Sequence, residues 1–218
     1  MMSNVKVSVL MAVFDTDFVY VKRAIDSVLK QDFQDFELII IDDGSCFEKS
    51  KDILKYASMH EDKIVYIRHS NRGQAQSINR GVLISLGEYI SIIDSDDEYK
   101  AQHLSSCLNE IKNLDLIAST ADAVIDTFDD YFVTDRHDNK NLIHIDDCIL
   151  FGTLFGKKYV FENIKFINGF AADADFFQKA ETMFRVNKAN LRTYIYYRNM
   201  PGSISSTFKR KHAETTVE

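Results

Sequence analysis

The sequence predicts an α/β protein with a largely parallel sheet, and three observations lead there. Through the first hundred residues, short apolar runs rich in β-branched residues alternate with segments of helical spacing. Those helical segments run to about 10–15 residues, the length a right-handed βαβ crossover needs. The apolar runs are also continuous rather than strictly alternating, as expected for strands covered on both faces.

VKVSVLMAV (5–13) reads as the first strand, ending near Asp15 and Asp17, which are placed to cap the next helix. Phe18, Val21, Ile25, Val28 and Leu29 give that helix its apolar face. FELIIIDDGS (36–45) is a second strand that stops at Asp42, Asp43 and Gly44. Ser45-Cys46-Phe47-Glu48 then has capping-box spacing for a helix to about His60. KIVYIRH (63–69) is the third strand, a helix runs from about Gln74 to Leu86, and EYISIID (88–94) is the fourth strand. Leu104, Cys107, Leu108 and Ile111 mark another helix. Residues 114–143 then break into short β-like pieces, DLIAST, DAVIDTF and YFVTD, which predict a small antiparallel patch. The expected organisation is one domain over 1–208, in two halves (1–100 and 101–208), with a polar tail over 209–218.

Composition narrows the function classes. A chain of 218 residues with 45% hydrophobic residues can bury a sizeable core. A net charge of −7 offers no basic footprint, so nucleic acid is not expected as a partner. Cys46, Cys107 and Cys148 are widely spaced without a CxxC pair and predict reduced thiols, not a disulfide framework or zinc site. The opening MMSNVKVSVLMAVF has no basic leader and is too short and polar for a signal peptide or membrane span. The expected setting is therefore the cytoplasm, with peripheral contact at the inner membrane face left open. His103, beside an apolar helix face, reads as a packed side chain.

Ligands of open parallel sheets bind beyond the carboxyl ends of the strands. Three of the predicted strands end in acids there: Asp15 and Asp17, Asp42 and Asp43, and the group Asp94, Asp96, Asp97 and Glu98. Carboxylates crowded this way repel one another unless a cation or hydrogen-bond donors compensate. The Asp-x-Asp pattern alone is weak, since it also occurs at Asp15/Asp17 and Asp173/Asp175, and most such pairs are solvated turns. Its position directly after a buried strand singles out residues 94–97. A hard cation such as Mg²⁺ or Mn²⁺ takes one or two carboxylates and completes its shell with water and phosphate oxygens.

The segments VSVLMAVFD (7–15), QDFQDFELIIIDDGS (31–45), NRGQAQSINRGVLISLGEYISIIDSDD (71–97) and ADADF (172–176) resemble, in order and spacing, those of the family 2 glycosyltransferases. These are nucleotide-sugar-dependent enzymes of the GT-A fold, a Rossmann-like three-layer sandwich. The likeness is dense over 5–100 and patchier beyond, with YYRNMPGSISS (196–206) resembling a further segment. It implies an inverting transferase moving a sugar from a nucleoside-diphosphate sugar, foremost a UDP-sugar, to a hydroxyl of a glycan or lipid-linked saccharide.

Residue by residue, the resemblance implies that Asp43 accepts the uracil N3–H, with Asp42 shaping the turn or sharing the role. Ala12, Phe14, Arg72, Gly73, Asp94 and Ser95 are implied at the nucleotide, with Asp94 near the ribose. For Arg72 a solvated loop arginine is the equal alternative, while Asn79 and Gly81 serve packing. Asp96 is implied to bind Mg²⁺ or Mn²⁺ at the diphosphate, with Asp97 able to share this role or that of Asp94. Asp173 is the candidate base for the acceptor hydroxyl; its alternative is complementing the dipole of the helix it opens. The sequence departs from the family where Ala12 replaces a proline, Ala172 a glutamate and Met200 a histidine. Arg198 either neutralises phosphate or pairs at the surface.

The missing glutamate and histidine also support a second reading, a catalytically silent nucleotide-sugar-binding or assembly module. A nucleotidyltransferase would need a Gly-rich basic loop after the first strand, and AVFDTDF supplies neither glycine nor Arg/Lys. A receiver-type signalling domain needs about half this length. Acceptor contacts are expected between residues 115 and 170, with ILFGTLFGKKYVF (149–161) forming one wall.

Overall fold

The structure, a computed structural model, describes residues 5–136 and 141–199. In chain order the main elements are β1 (Val7–Val13), α1 (Phe18–Leu29), β2 (Phe36–Asp42), α2 (Phe47–Ala57), β3 (Ile64–Arg68), α3 (Gln74–Ile84) and β4 (Tyr89–Ile92). The second half adds β5 (Glu98–Tyr99), α4 (His103–Glu110), β6 (Leu116–Val124), β7 (Phe132–Thr134), β8 (Leu142–His144), β9 (Leu154–Lys157), α5 (Lys158–Asn163), α6 (Ala172–Glu181) and β10 (Val186–Tyr197).

Eight strands form one sheet in the order β3-β2-β1-β4-β9-β6-β10-β5, and β7 and β8 make a separate antiparallel ribbon. β1, β2, β3 and β4 are mutually parallel, and β6 and β10 share their direction, whereas β9 and β5 oppose it. The period of two along each strand divides the core into two layers. Val9 and Met11 of β1 and Leu38 and Ile40 of β2 face α1, α2 and α4. Leu10, Ile39 and Ile41 face the other way, against α3, α5 and α6. Val21, Ala24, Ile25 and Val28 of α1 are all buried, so the spacing read from the sequence is the face that packs. This is the three-layer arrangement with a small antiparallel patch expected from the pattern.

Four details differ from expectation. Residues 116–124 are not part of the patch: they form one nine-residue strand inside the main sheet, parallel to β10. Asp122 breaks the apolar run, but it sits past the buried part of β6 and pairs with Lys100. The capping box at Ser45 is not made; Cys46 is the N-cap of α2, with no side-chain cap. Instead the Cys46 N–H donates to Asp15 Oδ1 (2.7 Å), and Ser45 Oγ accepts the Asp15 N–H (3.0 Å), so the two loops cap each other. Asp17 occupies the N-cap position of α1 without a side-chain cap bond and pairs instead with Lys49 (3.0 Å). Of the 149–161 stretch, the part from Leu154 onward becomes β9 and α5 in the core. His103 is packed as expected, stacked on Tyr99 at 3.9 Å, and burial pushes its pKa down to about 3. The three cysteines are free thiols. No helix among the described residues is long and apolar enough to cross a membrane. The expected tail and Met200 lie outside the described residues.

Candidate active site

The carboxyl ends of β1, β2, β4 and β10 lie on one side of the sheet, and a cleft of about 1900 Å³ opens there. Ala12, Phe14, Asp43, Arg72, Gly73, Asp94, Ser95, Asp96, Asp97 and Asp173 all line it.

The two acids that end β2 have separate tasks. Asp42 is fully buried and accepts from the Gly44 and Ser45 amides (3.1 and 2.8 Å), Ser50 Oγ (2.6 Å) and Tyr66 Oη (2.5 Å). Burial alone would raise its pKa, but those donors outweigh it and hold the carboxylate below its ordinary value. Asp42 therefore fixes the turn and does not line the cleft. Gly44 turns there at φ +88°, and a Cβ on it would come within 2.7 Å of the Asn71 backbone nitrogen. Asp43 faces the cleft and receives the N–H of Arg72 on Oδ1 and of Gly73 on Oδ2, both at 2.8 Å. The loop that opens α3 is thus docked on Asp43, while the Arg72 guanidinium has no partner among the described residues. Asn79 holds the 166–168 region through Phe166 (2.8 and 3.0 Å), and Gly81 lies against Leu10 and Ile41, as packing roles require.

The acidic turn after β4 is held from several directions. Asp94 Oδ1 accepts from Gln74 Nε2 (2.6 Å), and Ser95 Oγ shares a hydrogen bond with Thr16 Oγ1 (2.9 Å). Asp97 is almost fully buried and points at β10: Tyr194 Oη donates to Oδ2 (2.6 Å) and the Tyr197 N–H to Oδ1 (2.8 Å). Asp96 differs, because no other described residue donates to its carboxylate. Burial pushes the pKa of all three acids above the ordinary value, and their mutual charges add to this for Asp94 and Asp97. Asp173 sits in the first turn of α6, whose N-cap Ala171 has a φ of 56°, in the left-handed region. Burial pushes its pKa up to about 6, and its charge in turn raises that of Asp94 across the cleft. Asp175 lies apart, exposed and paired with Arg136 (2.9 Å).

Arg198 lines the cleft and is not the surface ion pair that was the alternative expectation. It is buried, and its Nε and Nη2 donate to the Asp130 and Phe132 carbonyls (both 3.1 Å), tying the ribbon side to β10 rather than making a surface salt bridge. Of the 149–161 stretch, Ile149, Leu150 and Phe151 reach the cleft. Three residues that hold the acidic turn carry no signal in the sequence: Gln74, Tyr194 and Arg23. Tyr194 and Asp94 are a hundred positions apart, so neither periodicity nor a motif brings them together.

Among the described residues, no group of three or more His, Cys, Asp or Glu is disposed to hold a metal by itself. The donor set fits a different kind of site: one unpaired carboxylate, Asp96, beside Asp94, suits an octahedral Mg²⁺ or Mn²⁺ whose other ligands are water and phosphate.

The fold and this cleft at its strand ends define a GT-A-type α/β protein. The chain belongs to glycosyl transferase family 2, whose family model matches residues 8–181. The glycosyltransferase GlyG of Streptococcus pneumoniae is 31% identical over 130 residues, which cover 59% of this chain and 41% of GlyG. The chain therefore spans well under half of that relative. Among solved structures, S. aureus TarS 1–349 in complex with UDP-GlcNAc superposes with a TM-score of 0.71 at 18% identity, over 93% of this chain and 61% of that one. The mannosyltransferase PcManGT from Pyrobaculum calidifontis, in complex with GDP-Man and Mn²⁺, gives 0.71 at 16% identity, covering 99% and 63%.

Proposed function

We propose that the protein is an inverting glycosyltransferase that moves a sugar from a nucleoside-diphosphate sugar, foremost a UDP-sugar, to a glycan or lipid-linked acceptor hydroxyl. One observation carries the reading: Asp43, Asp94, Asp96 and Asp173, drawn from three separate stretches of chain, converge on a single cleft at the carboxyl edge of a parallel sheet. The UDP-GlcNAc bound by TarS and the GDP-Man and Mn²⁺ bound by PcManGT support the same choice of ligand class.

In this reading Asp43 accepts the base N3–H. Its oxygens already take one backbone amide each, and a carboxylate oxygen has a second lone pair to offer. Ala12 and Phe14 line the nucleotide end, and the start of α3 at Arg72 and Gly73 supplies a favourable potential for phosphate. Asp94, steadied by Gln74, takes the ribose. Asp96 holds Mg²⁺ or Mn²⁺, which when bound supplies Lewis-acid neutralisation of the departing diphosphate. Asp97 supports the turn through β10. Asp173 removes the acceptor hydroxyl proton, and a pKa near 6 suits a base that is ionised at neutral pH yet basic enough to accept it.

The test is a thermal-shift titration with UDP, GDP, CDP and dTDP, each with and without Mn²⁺. A native-state ligand at a hundredfold excess over its Kd stabilises by about 2.7 kcal/mol, a rise of about 5–10 °C for a chain this long. A Mn²⁺-dependent rise selective for one nucleotide is expected. No rise with any of the four would overturn the reading. Binding without sugar transfer would instead favour the silent module.

A further inference from the structure

The acidic turn has a cation of its own that is not part of the cleft lining. Arg23, on α1, donates from Nη2 to the Asp96 backbone carbonyl. Its guanidinium lies 3.5 Å from the Tyr197 ring centroid and 5.5 Å from that of Tyr20. Tyr197 in turn gives its N–H to Asp97. One helical turn further on, Ser27 Oγ accepts the Tyr99 N–H (3.1 Å), so α1 grips the chain on both sides of Glu98. Arg23 Nε is buried and has no hydrogen-bond partner among the described residues. A guanidinium left partly unsatisfied in this way is unfavourable unless stacking and charge offset it.

From this arrangement we infer that Arg23 is a positioning residue for the cation site, holding the Asp96 backbone so that its unpaired carboxylate is presented to the cleft. The inference rests on the assignment of Asp96 to a divalent cation. Its physical content is a planar fork held against the Tyr197 ring, with Tyr20 nearby, which restricts the direction in which Nη2 points. A lysine in the same place keeps the charge but not the plane or the fork. Arg23 also keeps a positive charge beside the carboxylates. The charge effect and the positioning effect therefore oppose each other. Removing a nearby positive charge favours binding of Mn²⁺, whereas losing the clamp lets the turn relax and weakens it.

The experiment measures Mn²⁺ affinity by electron paramagnetic resonance in the presence of UDP, for the parent, Arg23→Met and Arg23→Lys. Circular dichroism melting accompanies each to show a native fold. Loss of an outer-shell partner of a metal ligand costs about 10–100-fold in metal affinity, so the Mn²⁺ Kd is expected to rise about tenfold or more in Arg23→Met and measurably in Arg23→Lys. Affinity equal to or tighter than the parent's in either folded variant overturns the inference, because charge alone would then account for Arg23. If Arg23→Met fails to fold, Arg23→Lys carries the test. A parent that binds UDP but no Mn²⁺ overturns the assignment of Asp96 and this inference with it, which keeps that failure distinct from the failure of Arg23 alone.

Discussion

Gly152 tests whether the second half of the chain sets the geometry of the acidic turn. A Cβ built on Gly152 would lie 2.0 Å from Tyr194 Oη, 2.3 Å from Cζ and 2.5 Å from Cε2. Tyr194 is fully buried, so it has no solvent-side position to move into without shifting β10. Its hydroxyl donates to Asp97 Oδ2 and receives the Asp94 N–H (3.3 Å), so any shift passes directly to the acidic turn. Overpacking a closed core by one methyl costs about 1–3 kcal/mol, and the loss or lengthening of the Tyr194 bonds lies within that range. At about 2–4 °C per kcal/mol for a chain of this length, Gly152→Ala should melt about 2–12 °C below the parent. It should also show a smaller Mn²⁺-dependent rise with UDP. Gly169→Ala is the control: nothing lies within 4 Å of its Cβ, and the expected melting change is near zero. Should Gly152→Ala melt with the control and keep the full UDP response, Tyr194 is not the link between β10 and the acidic turn.

Three other expectations follow from the same geometry. Asp96→Ala should melt at or above the parent temperature, because it removes one of several mutually repelling buried charges, yet lose the Mn²⁺-dependent response to UDP; an unchanged response would remove Asp96 from the cation site. Asp173→Asn should keep donor binding and lose transfer, and its pH behaviour separates base from scaffold. The folded pKa of Asp173, about 6, lies above the ordinary 3.8, so the native state binds more protons between those values and stability falls as pH rises through about 4–6. Asp94, Asp96 and Asp97 are shifted the same way and add to that slope. Transfer by the parent should move oppositely, declining below about pH 6 as the base is protonated; a rate flat down to pH 5 would count against Asp173. Asp115 anchors Lys157 (2.9 Å), Tyr159 (2.6 Å) and Arg185 (3.3 Å). Burial would raise its pKa, but those partners hold it below the ordinary range, so its stabilisation is present above about pH 4 and lost in acid. Asp115→Asn should lower the melting temperature by about 3–12 °C at pH 7, from about 1.5–3 kcal/mol of charge-assisted bonding, and by much less near pH 2.

The parts of the site legible in the sequence are those a single strand and its following turn specify. Asp43 and Asp94–Asp97 follow buried apolar runs, and strand ends in parallel sheets face one edge, so their convergence follows from the alternation of elements. What brings β6 and β10 beside them is pairing over seventy residues or more, and no local period records it. The polar interruption at Asp122 makes residues 116–124 look like two short pieces. Only pairing with β9 along one edge and β10 along the other makes it one strand. The Ser45–Glu48 spacing misleads for a related reason. A capping box is a local option, and here the Ser45 N–H goes to Asp42 while the Ser45 hydroxyl accepts the Asp15 N–H from another loop.

The acidic turn shows where motif reading ends. Four carboxylates in five residues pose one question to the sequence: what cancels the repulsion? The structure divides the answer among the acids. Asp97 is answered by β10, through the Tyr194 hydroxyl and the Tyr197 amide, and Asp94 by Gln74 on α3. Glu98 accepts from Tyr197 Oη at 2.5 Å. Asp96 is the one whose carboxylate receives no donor from another described residue, while its backbone carbonyl is held by Arg23. A turn built only for stability would give every one of these half-buried or buried carboxylates a donor, since a charge withdrawn from water without one is unfavourable. Three partnered acids around one that no other described residue partners form an asymmetry that the motif does not encode, and it is the observation behind the proposal that Asp96 is the carboxylate offered to a cation.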